Sequence, residues 1–427
     1  MVEKSDNPSG PLVGYRVLEL GSTVAGPFCG RLLADFGAEV IKVEPAEGDP
    51  LRSMGKHYRG KSLYAASIFR NKRLVAIDLR TTEGQNLIRR LVTSCDILVE
   101  NFRPGTLEEW GLGYDDLSRL NPGLVMVRIS GYGQSGPNRL RPGYGAIAEA
   151  VSGLRHVTGD PDRPPARVAV SLGDCVTGLY GAYAAVMALL NRGRSGRGQV
   201  IDAALYECAF SFMEPHVPAF EKLGFIPVRA GARLPGTAPN NLYPTTDGSY
   251  IHITAANEGT FRRLAGAMGK PELVEDPRFV SALSRARHVD ELDRIVSGWT
   301  STRTLRALEQ ALTEASVPAT RCFTLEDIFQ DPHYSARNML AEVPDDELGT
   351  VTLAAVVPKM SDSPGSIRRS GGVVGRDTRE VLRQIAHLSD QEIEHLEAAG
   401  IILCAASAAA ADNVNGGDRT RNESQKE

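Results

Sequence analysis

Asp174 is the side chain in this sequence best suited to act as a nucleophile. It follows Gly173 at the start of a predicted long helix that runs to about Arg192. The apolar face of this helix is marked by Val176, Leu179, Tyr183, Val186, Met187 and Leu190. A carboxylate in the first turn of a helix accepts hydrogen bonds from free backbone N–H groups and lies at the positive end of the helix dipole, which favours the ionised form. An ionised carboxylate can attack a thioester carbonyl and form a mixed anhydride. Aspartate is also a common helix cap, so this residue alone does not define the chemistry.

The segment GYGQSG at 131–136 follows a predicted strand and matches the GxGxxG pattern of dinucleotide-binding proteins. That fingerprint requires a helix to begin at once, so that its N-terminus meets the pyrophosphate. The next residues, PNRLRPGYG, do not begin a helix cleanly, which argues against a nicotinamide or flavin site. A glycine-rich turn can still place backbone N–H groups near a substrate carbonyl.

Basic residues cluster in two predicted loops, with Arg70, Lys72 and Arg73 before one strand and Arg103 after another. Arginine and lysine suit the phosphate and pyrophosphate groups of a ligand. A solvated charged rim is the alternative interpretation.

Other catalytic classes lack their motifs. His57, His156, His216 and His252 show no metal-ligand spacing, and the six cysteines form no CxxC pair. There is no GxSxG nucleophile elbow. We therefore expect no metal site, and reduced cysteines in an intracellular protein.

Strand-like and helix-like segments alternate along the chain. The predicted elements of the first half are YRVLEL, a helix in PFCGRLLADFG, EVIKVE, RLVAIDL, a helix at Glu83–Ser94, DILVEN, a helix around DDLSRL, and LVMVRIS. This alternation predicts an α/β fold with a doubly wound, mostly parallel, Rossmann-like sheet.

A smaller α/β domain is predicted to follow the large one. The expected division is 12–214 for the first part of the large domain, 215–248 for a linker, 249–330 for the small domain, 331–404 for a return to the large domain, and 405–427 for a disordered tail.

The composition excludes some partners. The 427 residues are 42% hydrophobic with a net charge of -4, so there is no basic excess for nucleic-acid binding. No run of about 18–20 consecutive apolar residues predicts a membrane span, and the polar start predicts no signal peptide. We expect a cytoplasmic protein.

Five segments together resemble the family III CoA-transferases (CaiB/BaiF type), which include formyl-CoA transferase and carnitine-CoA transferase. The resemblance extends from about residue 11 to about residue 403 and rests on residues 24–44, 70–80, 96–117, 120–137 and 173–207. It implies transfer of CoA between carboxylic acids through aspartyl-anhydride and aspartyl-CoA thioester intermediates. It also implies a CoA thioester as substrate, no bound metal or organic cofactor, and an interlocked homodimer.

The resemblance assigns roles to particular residues. It implies that Asp174 is the nucleophile, and that CoA contacts fall on Val24, Ala25, Ile77, Asp78, Leu79, Arg80, Asn101, Phe102 and Arg103.

The chain departs from the family pattern at two positions. Pro45 replaces a basic residue that many relatives carry, and Gly145 replaces an acid; Glu149 is one helical turn further on. The segment ARLPGTAPNNLYPTTDG lacks a glycine-rich lid and is similar to the branch that uses succinyl-CoA with small dicarboxylic acids.

Two other functions remain open at this point. An α-methylacyl-CoA racemase would need an acid and a base on opposite sides of the α-carbon, and its family places a histidine in the loop that reads SGYGQ here. A non-catalytic acyl-CoA-binding subunit could keep the basic loops but would not need Asp174.

Overall fold

The computed structural model describes residues 10–405 and divides them into two compact units. The first unit comprises residues 10–152, Ala169–Met213 and 337–405, and the second comprises Gly153–Val168 and Glu214–Ala336. The predicted tail, apart from residue 405, lies outside the described residues.

The strands within residues 10–405 are β1 (Arg16–Glu19), β2 (Glu39–Glu44), β3 (His57–Tyr58), β4 (Lys61–Ser62), β5 (Lys72–Ile77), β6 (Ile97–Glu100), β7 (Val125–Ser130), β8 (Gln199–Ala204), β9 (Asn240–Pro244), β10 (Tyr250–Thr254), β11 (Ala319–Arg321), β12 (Leu340–Asp345), β13 (Gly349–Ala354) and β14 (Ile402–Leu403). The α-helices are α1 (Ala25–Asp35), α2 (Leu63–Ile68), α3 (Thr82–Val92), α4 (Thr106–Glu109), α5 (Tyr114–Leu120), α6 (Gly145–Val151), α7 (Leu172–Ser195), α8 (Leu205–Phe210), α9 (His216–Leu223), α10 (Glu258–Ala267), α11 (Ala282–Arg287), α12 (Val289–Thr300), α13 (Leu305–Glu314), α14 (Leu325–Gln330), α15 (Pro332–Ala336), α16 (Thr378–Gln384) and α17 (Asp390–Ala398).

A seven-stranded sheet forms the centre of the first unit, in the order β14-β5-β2-β1-β6-β7-β8. Its strands pair in parallel except β14, which is antiparallel to β5. After β1, the strands β2 and β5 are added on one side of it, and β6, β7 and β8 are then added on its other side. The predicted α/β fold is confirmed, and ligands of such sheets bind where the strand order reverses, here at the carboxyl ends of β1 and β6.

Alternate residues of the strands enter two cores, one on each face of the sheet. Leu18 and Ile41 pack with α3, α5, α16 and α17, whereas Val17 and Val40 pack with α1 and α7. Both faces are therefore covered, as expected for a parallel sheet with near-continuous apolar strands.

The second unit has its own sheet and core. Its antiparallel strands run in the order β11-β10-β9, and Tyr243, Ile253, Phe261 and Val296 are buried beside them. The predicted boundaries differ from this division: the proposed linker 215–248 contains β9, and residues 153–168 belong to the second unit rather than to the first.

The face of α7 that packs inside the first unit is not the one with the large apolar side chains. Gly178, Gly181, Ala182 and Ala185 are buried, and a Cβ at Gly178 would lie 2.7 Å from the carbonyl oxygen of Ala25. Small residues occupy the packed face because they let α7 approach α1 closely. Of the six large apolar residues predicted to mark the helix's apolar face, Leu179, Tyr183, Met187 and Leu190 are exposed, with Leu179 at 55% and Leu190 at 61%, whereas Val176 and Val186 are half-buried.

By length and composition alone, α7 is also the one helix among the described residues that is long and apolar enough to cross a membrane. The core helix of a soluble protein can have the same length and composition.

Candidate active site

Two of the segments predicted to bind CoA are joined directly at the switch point of the sheet. The Ser22 N–H donates to Asn101 Oδ1 at 2.7 Å, and Asn101 Nδ2 donates to the Ser22 carbonyl oxygen at 2.9 Å. A Cβ at Gly21 would lie only 3.0 Å from the Gly26 Cα, so the turn before α1 depends on glycine. Val24 and Ala25 are each only 3% exposed in this turn, and neither lines the cavity at this edge of the sheet.

The third predicted segment, after β5, completes a cavity of about 220 Å³ at the same edge of the sheet. Its lining residues are Leu20, Ser22, Val43, Glu44, Pro45, Glu47, Asp49, Ile77, Asp78, Leu79, Arg80, Phe102 and Trp110. The rings of Phe102 and Trp110 meet edge to face with centroids 5.4 Å apart. Of its four carboxylates, Glu44 is paired with Arg52 and Asp49 with Lys42, while Asp78 and Glu47 lie beside the guanidinium of Arg80.

Arg80 does not leave a free positive charge in this cavity. Its guanidinium binds Asp78 at 2.8 Å and lies 3.5 Å from Glu47. The paired guanidinium holds the pKa of Asp78 below its usual range.

Arg70 and Lys72 are interior side chains, which is a correction to their predicted contact with phosphates. Arg70 is 1% exposed and forms two hydrogen bonds with Asp35, while Lys72 is fully buried 2.7 Å from Glu19 Oε2. Burial lowers the pKa of Lys72 to about 8 although Glu19 opposes the shift. A cation in such a pair is already neutralised and shielded from solvent.

Of the other two predicted phosphate contacts, only Arg103 extends into solvent. Arg73 is half-buried and binds Glu39 at 2.7 Å, whereas Arg103 is exposed and donates to the Leu140 carbonyl oxygen.

A buried ion pair not found by sequence reasoning fixes the turn before α1. Lys42 Nζ lies 2.8 Å from Asp49 Oδ2 and donates to the Gly21 carbonyl oxygen at 2.8 Å. Asp49 Oδ1 accepts from the N–H of Thr23, whose φ of 64° is left-handed. Burial lowers the pKa of Lys42, but Asp49 and Glu19 outweigh that effect and raise it overall. The alternation of the EVIKVE strand gave no signal that its lysine points inward to a carboxylate.

Asp174 lies half-buried in the first turn of α7, as the sequence predicted. Its carboxylate lies over Gly145, the first residue of α6: a Cβ at Gly145 would be 2.3 Å from Asp174 Oδ2. Glu149 is buried, and its Oε1 lies 3.5 Å from the N–H of Gly173. The absence of a side chain at 145 is therefore what gives the Asp174 carboxylate its present position.

The same helix brings Asp174 close to the turn before α1. Residues four apart share a helix face, so Asp174 lies one turn from Gly178, which touches Ala25. Tyr64, which sequence reasoning also missed, lies beside Ser171 and Asp174, and burial raises the pKa of its hydroxyl. No local pattern around Tyr64 distinguishes it from an ordinary surface tyrosine.

Cys175 is a poor alternative nucleophile. Burial, reinforced by the charge of Asp174, raises the pKa of its thiol to about 11. The thiol packs beside a small apolar cluster that includes Val24 and Phe69. It is therefore protonated at neutral pH, and the thiolate is the reactive form.

The GYGQSG loop leads into the site without beginning a helix. Gly133 has φ +87°, and the Gln134 N–H donates to Asp202 Oδ2 at 2.8 Å. A Cβ at Gly131 would lie 2.8 Å from the Gly143 Cα, so this loop is held against the segment before α6. The next helix begins only at Gly145, which does not match a dinucleotide fingerprint.

Metal ligands do not assemble in this site. Within residues 10–405 there is no cluster of three or more histidine, cysteine, aspartate or glutamate side chains able to hold a metal ion.

Comparisons with known proteins agree with this architecture. Residues 12–378 match the family model of CoA-transferase family III. The chain is 47% identical over 400 residues, 93% of its length and 100% of the relative, to succinyl-CoA–D-citramalate CoA-transferase of Chloroflexus aurantiacus. It is 41% identical to the beta subunit of succinyl-CoA–L-malate CoA-transferase from the same organism, over 92% of this chain and 98% of the relative.

A solved structure agrees as well. A CAIB/BAIF family protein from Brucella suis aligns with a TM-score of 0.79 and 33% identity, over 88% of this chain and 100% of that one. The chain belongs to CoA-transferase family III and is a CoA-transferase.

Proposed function

We propose that the protein transfers CoA from succinyl-CoA to a small hydroxydicarboxylic acid of the citramalate and malate type, with Asp174 as the covalent carrier. The observation that carries the proposal is the position of the Asp174 carboxylate, over Gly145 and one helical turn from the contact between α7 and Ala25. The donor and acceptor follow the two Chloroflexus relatives.

The reaction proceeds through Asp174 in four balanced exchanges. The carboxylate attacks the succinyl-CoA carbonyl, giving a mixed anhydride and CoA thiolate; the thiolate attacks the aspartyl carbonyl, giving an aspartyl-CoA thioester and succinate. The acceptor carboxylate attacks that thioester and releases the thiolate again. The thiolate then attacks the acceptor carbonyl of the second anhydride, which forms the new CoA ester and regenerates Asp174.

CoA binds at the switch point of the sheet, at the carboxyl ends of β1 and β6. The carboxylate oxygens that line the 220 Å³ cavity are hydrogen-bond acceptors, which suit the amino group of adenine and the ribose hydroxyls. Exposed Arg103, directly after Phe102, is the remaining predicted cation for a phosphate.

We also propose a cytoplasmic homodimer, with the two chains interlocked. The dimer is supported by an apolar stripe on α7 whose members recur at helical spacing and are each at least 45% exposed: Leu179, Tyr183, Met187 and Leu190. Contiguous apolar surface of this kind is uncommon on monomers. Light scattering should give the mass of a dimer for the wild type and a lower mass, or an unfolded protein, for Tyr183→Glu. A monomeric wild type would contradict the dimer.

A panel assay tests the function. Succinyl-CoA is incubated with labelled D-citramalate, malate, glutarate and butyrate, and new CoA esters are measured by mass spectrometry. The hydroxydicarboxylates should be the fastest acceptors; Asp174→Asn should abolish transfer, and Cys175→Ser should preserve it. Binding without turnover on the whole panel would favour a binding subunit.

The racemase alternative makes a different prediction. A racemase exchanges the α-hydrogen of a 2-methylacyl-CoA with solvent deuterium, whereas a transferase has no step that requires it. Exchange without CoA transfer would overturn the proposal.

A further inference from the structure

Two aromatic residues of the 220 Å³ cavity lie in the segment that connects β6 to α5. Phe102 lies two residues after β6, and Trp110 directly follows the short helix α4. Their rings meet edge to face, so a shift of either ring changes the shape of the cavity. Neither residue belongs to a strand of the sheet, so their positions depend on side-chain contacts that tie this segment to the strands.

One buried arginine makes those contacts at both ends of the segment. Arg128 on β7 is the register partner of Glu100, the last residue of β6, and its Nε donates to Glu100 Oε1 at 2.8 Å. Its two terminal nitrogens donate to the carboxylate of Glu108 in α4, at 2.6 and 3.1 Å. A single guanidinium therefore joins the end of β6 to the helix that Trp110 follows.

Glu100 extends this contact to the backbone of Phe102. Its second oxygen, Oε2, accepts the Phe102 N–H at 2.7 Å. Glu100 is 1% exposed, and burial raises the pKa of its carboxyl to about 7 although Arg128 opposes the shift. Without the guanidinium that pKa would rise further, so the carboxyl would be neutral at pH 7 and its charge-assisted hydrogen bond to Phe102 would weaken. The position of Phe102 thus depends on Arg128.

Arginine suits this position better than lysine would. The planar guanidinium has donors on all three nitrogens, and here Nε serves one carboxylate while both terminal nitrogens serve another. The ammonium of lysine is a single point charge. A third carboxylate, Asp202 on β8, is also a register partner of Arg128, but it accepts the Gln134 N–H instead. Arg128 itself lies outside the cavity lining.

We propose that Arg128 is a positioning residue for CoA binding: it holds Phe102 and Trp110 in the arrangement that the cavity needs, without touching the ligand. The inference rests on the proposed function only in placing CoA at this cavity. It requires neither Asp174 nor any particular acceptor acid.

Steady-state kinetics with succinyl-CoA tests the proposal. Arg128→Met keeps an unbranched side chain but removes its charge and donors, and it should raise the KM for succinyl-CoA about 5- to 100-fold, because the ligand must then order two aromatic side chains. The kcat should stay within about twofold, since Asp174 and Gly145 are untouched and only the binding of CoA is weakened. Arg128→Lys should give a KM between those of Arg128→Met and wild type, because it restores the charge without the bridging donors.

Arg192→Met is the matched control, at the opposite ends of the same two strands. Arg192 binds Asp96, just before β6, at 2.7 Å, and donates to the Gly123 carbonyl oxygen, two residues before β7, at 3.0 Å. Its loss should lower the free energy of unfolding in urea and leave the KM for succinyl-CoA unchanged. Equal KM values for Arg128→Met and Arg192→Met would show that the Arg128 ion pairs only stabilise the fold, and would overturn the proposal.

Trp110 gives a direct readout of the cavity. The chain has two tryptophans, and the other, Trp299, is buried in the second unit. In a Trp299→Phe background, free CoA should protect Trp110 from quenching by acrylamide. Adding Arg128→Met should make Trp110 easier to quench without CoA, and protection should then require about 5- to 100-fold more CoA.

The outcomes of this titration separate the inference from the proposed function. Identical protection curves with and without Arg128→Met would overturn the positioning role, and Arg128→Lys decides in the same way if the methionine variant does not fold. Absence of protection in the parent would show that CoA does not bind at this cavity and would overturn both. Protection that depends on Arg128 in a protein that transfers no CoA would support the inference and contradict the proposed function.

Discussion

Gly145→Ala is the substitution that most sharply tests how the nucleophile is oriented. The new Cβ would lie 2.3 Å from Asp174 Oδ2, whereas ordinary contacts begin at 3.4 Å, so the carboxylate must move by about 1 Å. The obstructing atom is the end of a side chain rather than backbone, and Gly145 has no left-handed φ. The fold can therefore accept alanine while the carboxylate cannot keep its position.

The expected effect is on kcat. Misplacement of a reacting group by about 1 Å can cost about 100-fold in rate, so we expect kcat to fall by roughly that factor. The KM for succinyl-CoA should change little, since the CoA-binding turn is untouched. The free energy of unfolding should stay equal or rise by up to about 1 kcal/mol, because alanine favours helix more than glycine does.

Steady-state kinetics and urea unfolding measure both effects. Gly193→Ala is the matched control: Gly193 is a glycine of α7 whose added Cβ would meet nothing within 4 Å, so it should gain stability and keep full activity. A Gly145→Ala enzyme with normal kcat would refute the inferred role of the Asp174 position.

Three further perturbations test other parts of the structure. Gly178→Ala places a Cβ 2.7 Å from the Ala25 carbonyl oxygen, a backbone atom that cannot easily move, so urea unfolding should show a free energy of unfolding lower by about 1–3 kcal/mol. Steady-state kinetics should show a higher KM for acyl-CoA, and unchanged values of both would contradict the close packing of α7 on α1. Asp49→Ala breaks a buried ion pair with Lys42, so the free energy of unfolding should fall by about 3–5 kcal/mol and the KM for acyl-CoA should rise. Asp49→Asn keeps an acceptor for the Thr23 N–H and should lose less stability; equal losses in the two variants would rule out that hydrogen bond as the anchor of the turn. Cys175 should resist iodoacetamide at pH 8 and react as the pH approaches 11, whereas exposed Cys322 should be labelled at pH 8; rapid labelling of Cys175 at pH 8 would contradict this. Because the thiol ionises near pH 9 in the unfolded chain but stays protonated up to about pH 11 in the folded one, the free energy of unfolding should fall as the pH rises from 9 to 11.

The sequence was sufficient where local pattern and packing agree. The EVIKVE strand was predicted with its exact bounds, Glu39–Glu44, and Asp174 lies in the first turn of α7 as expected. Both follow from short-range rules, namely apolar strands buried on two faces and acids at helix N-termini.

The failures involve partners that are distant in the chain. Arg70 and Lys72 look the same in sequence whether they face solvent or pair with Asp35 and Glu19, which lie 35 and 53 residues away. The packed face of α7 was missed because hydrophobicity marked the larger side chains, while close approach to α1 requires small ones such as Gly178. Pairing and close approach depend on the tertiary structure, which periodicity does not encode.

Covalent labelling of Asp174 during turnover is the most direct test of the account. The enzyme is mixed with succinyl-CoA, quenched with hydroxylamine or borohydride, digested, and mapped by mass spectrometry. We expect a modified peptide at Asp174 that is absent from Asp174→Asn and from samples without the thioester. An unmodified Asp174 in a preparation that is actively exchanging CoA would contradict it.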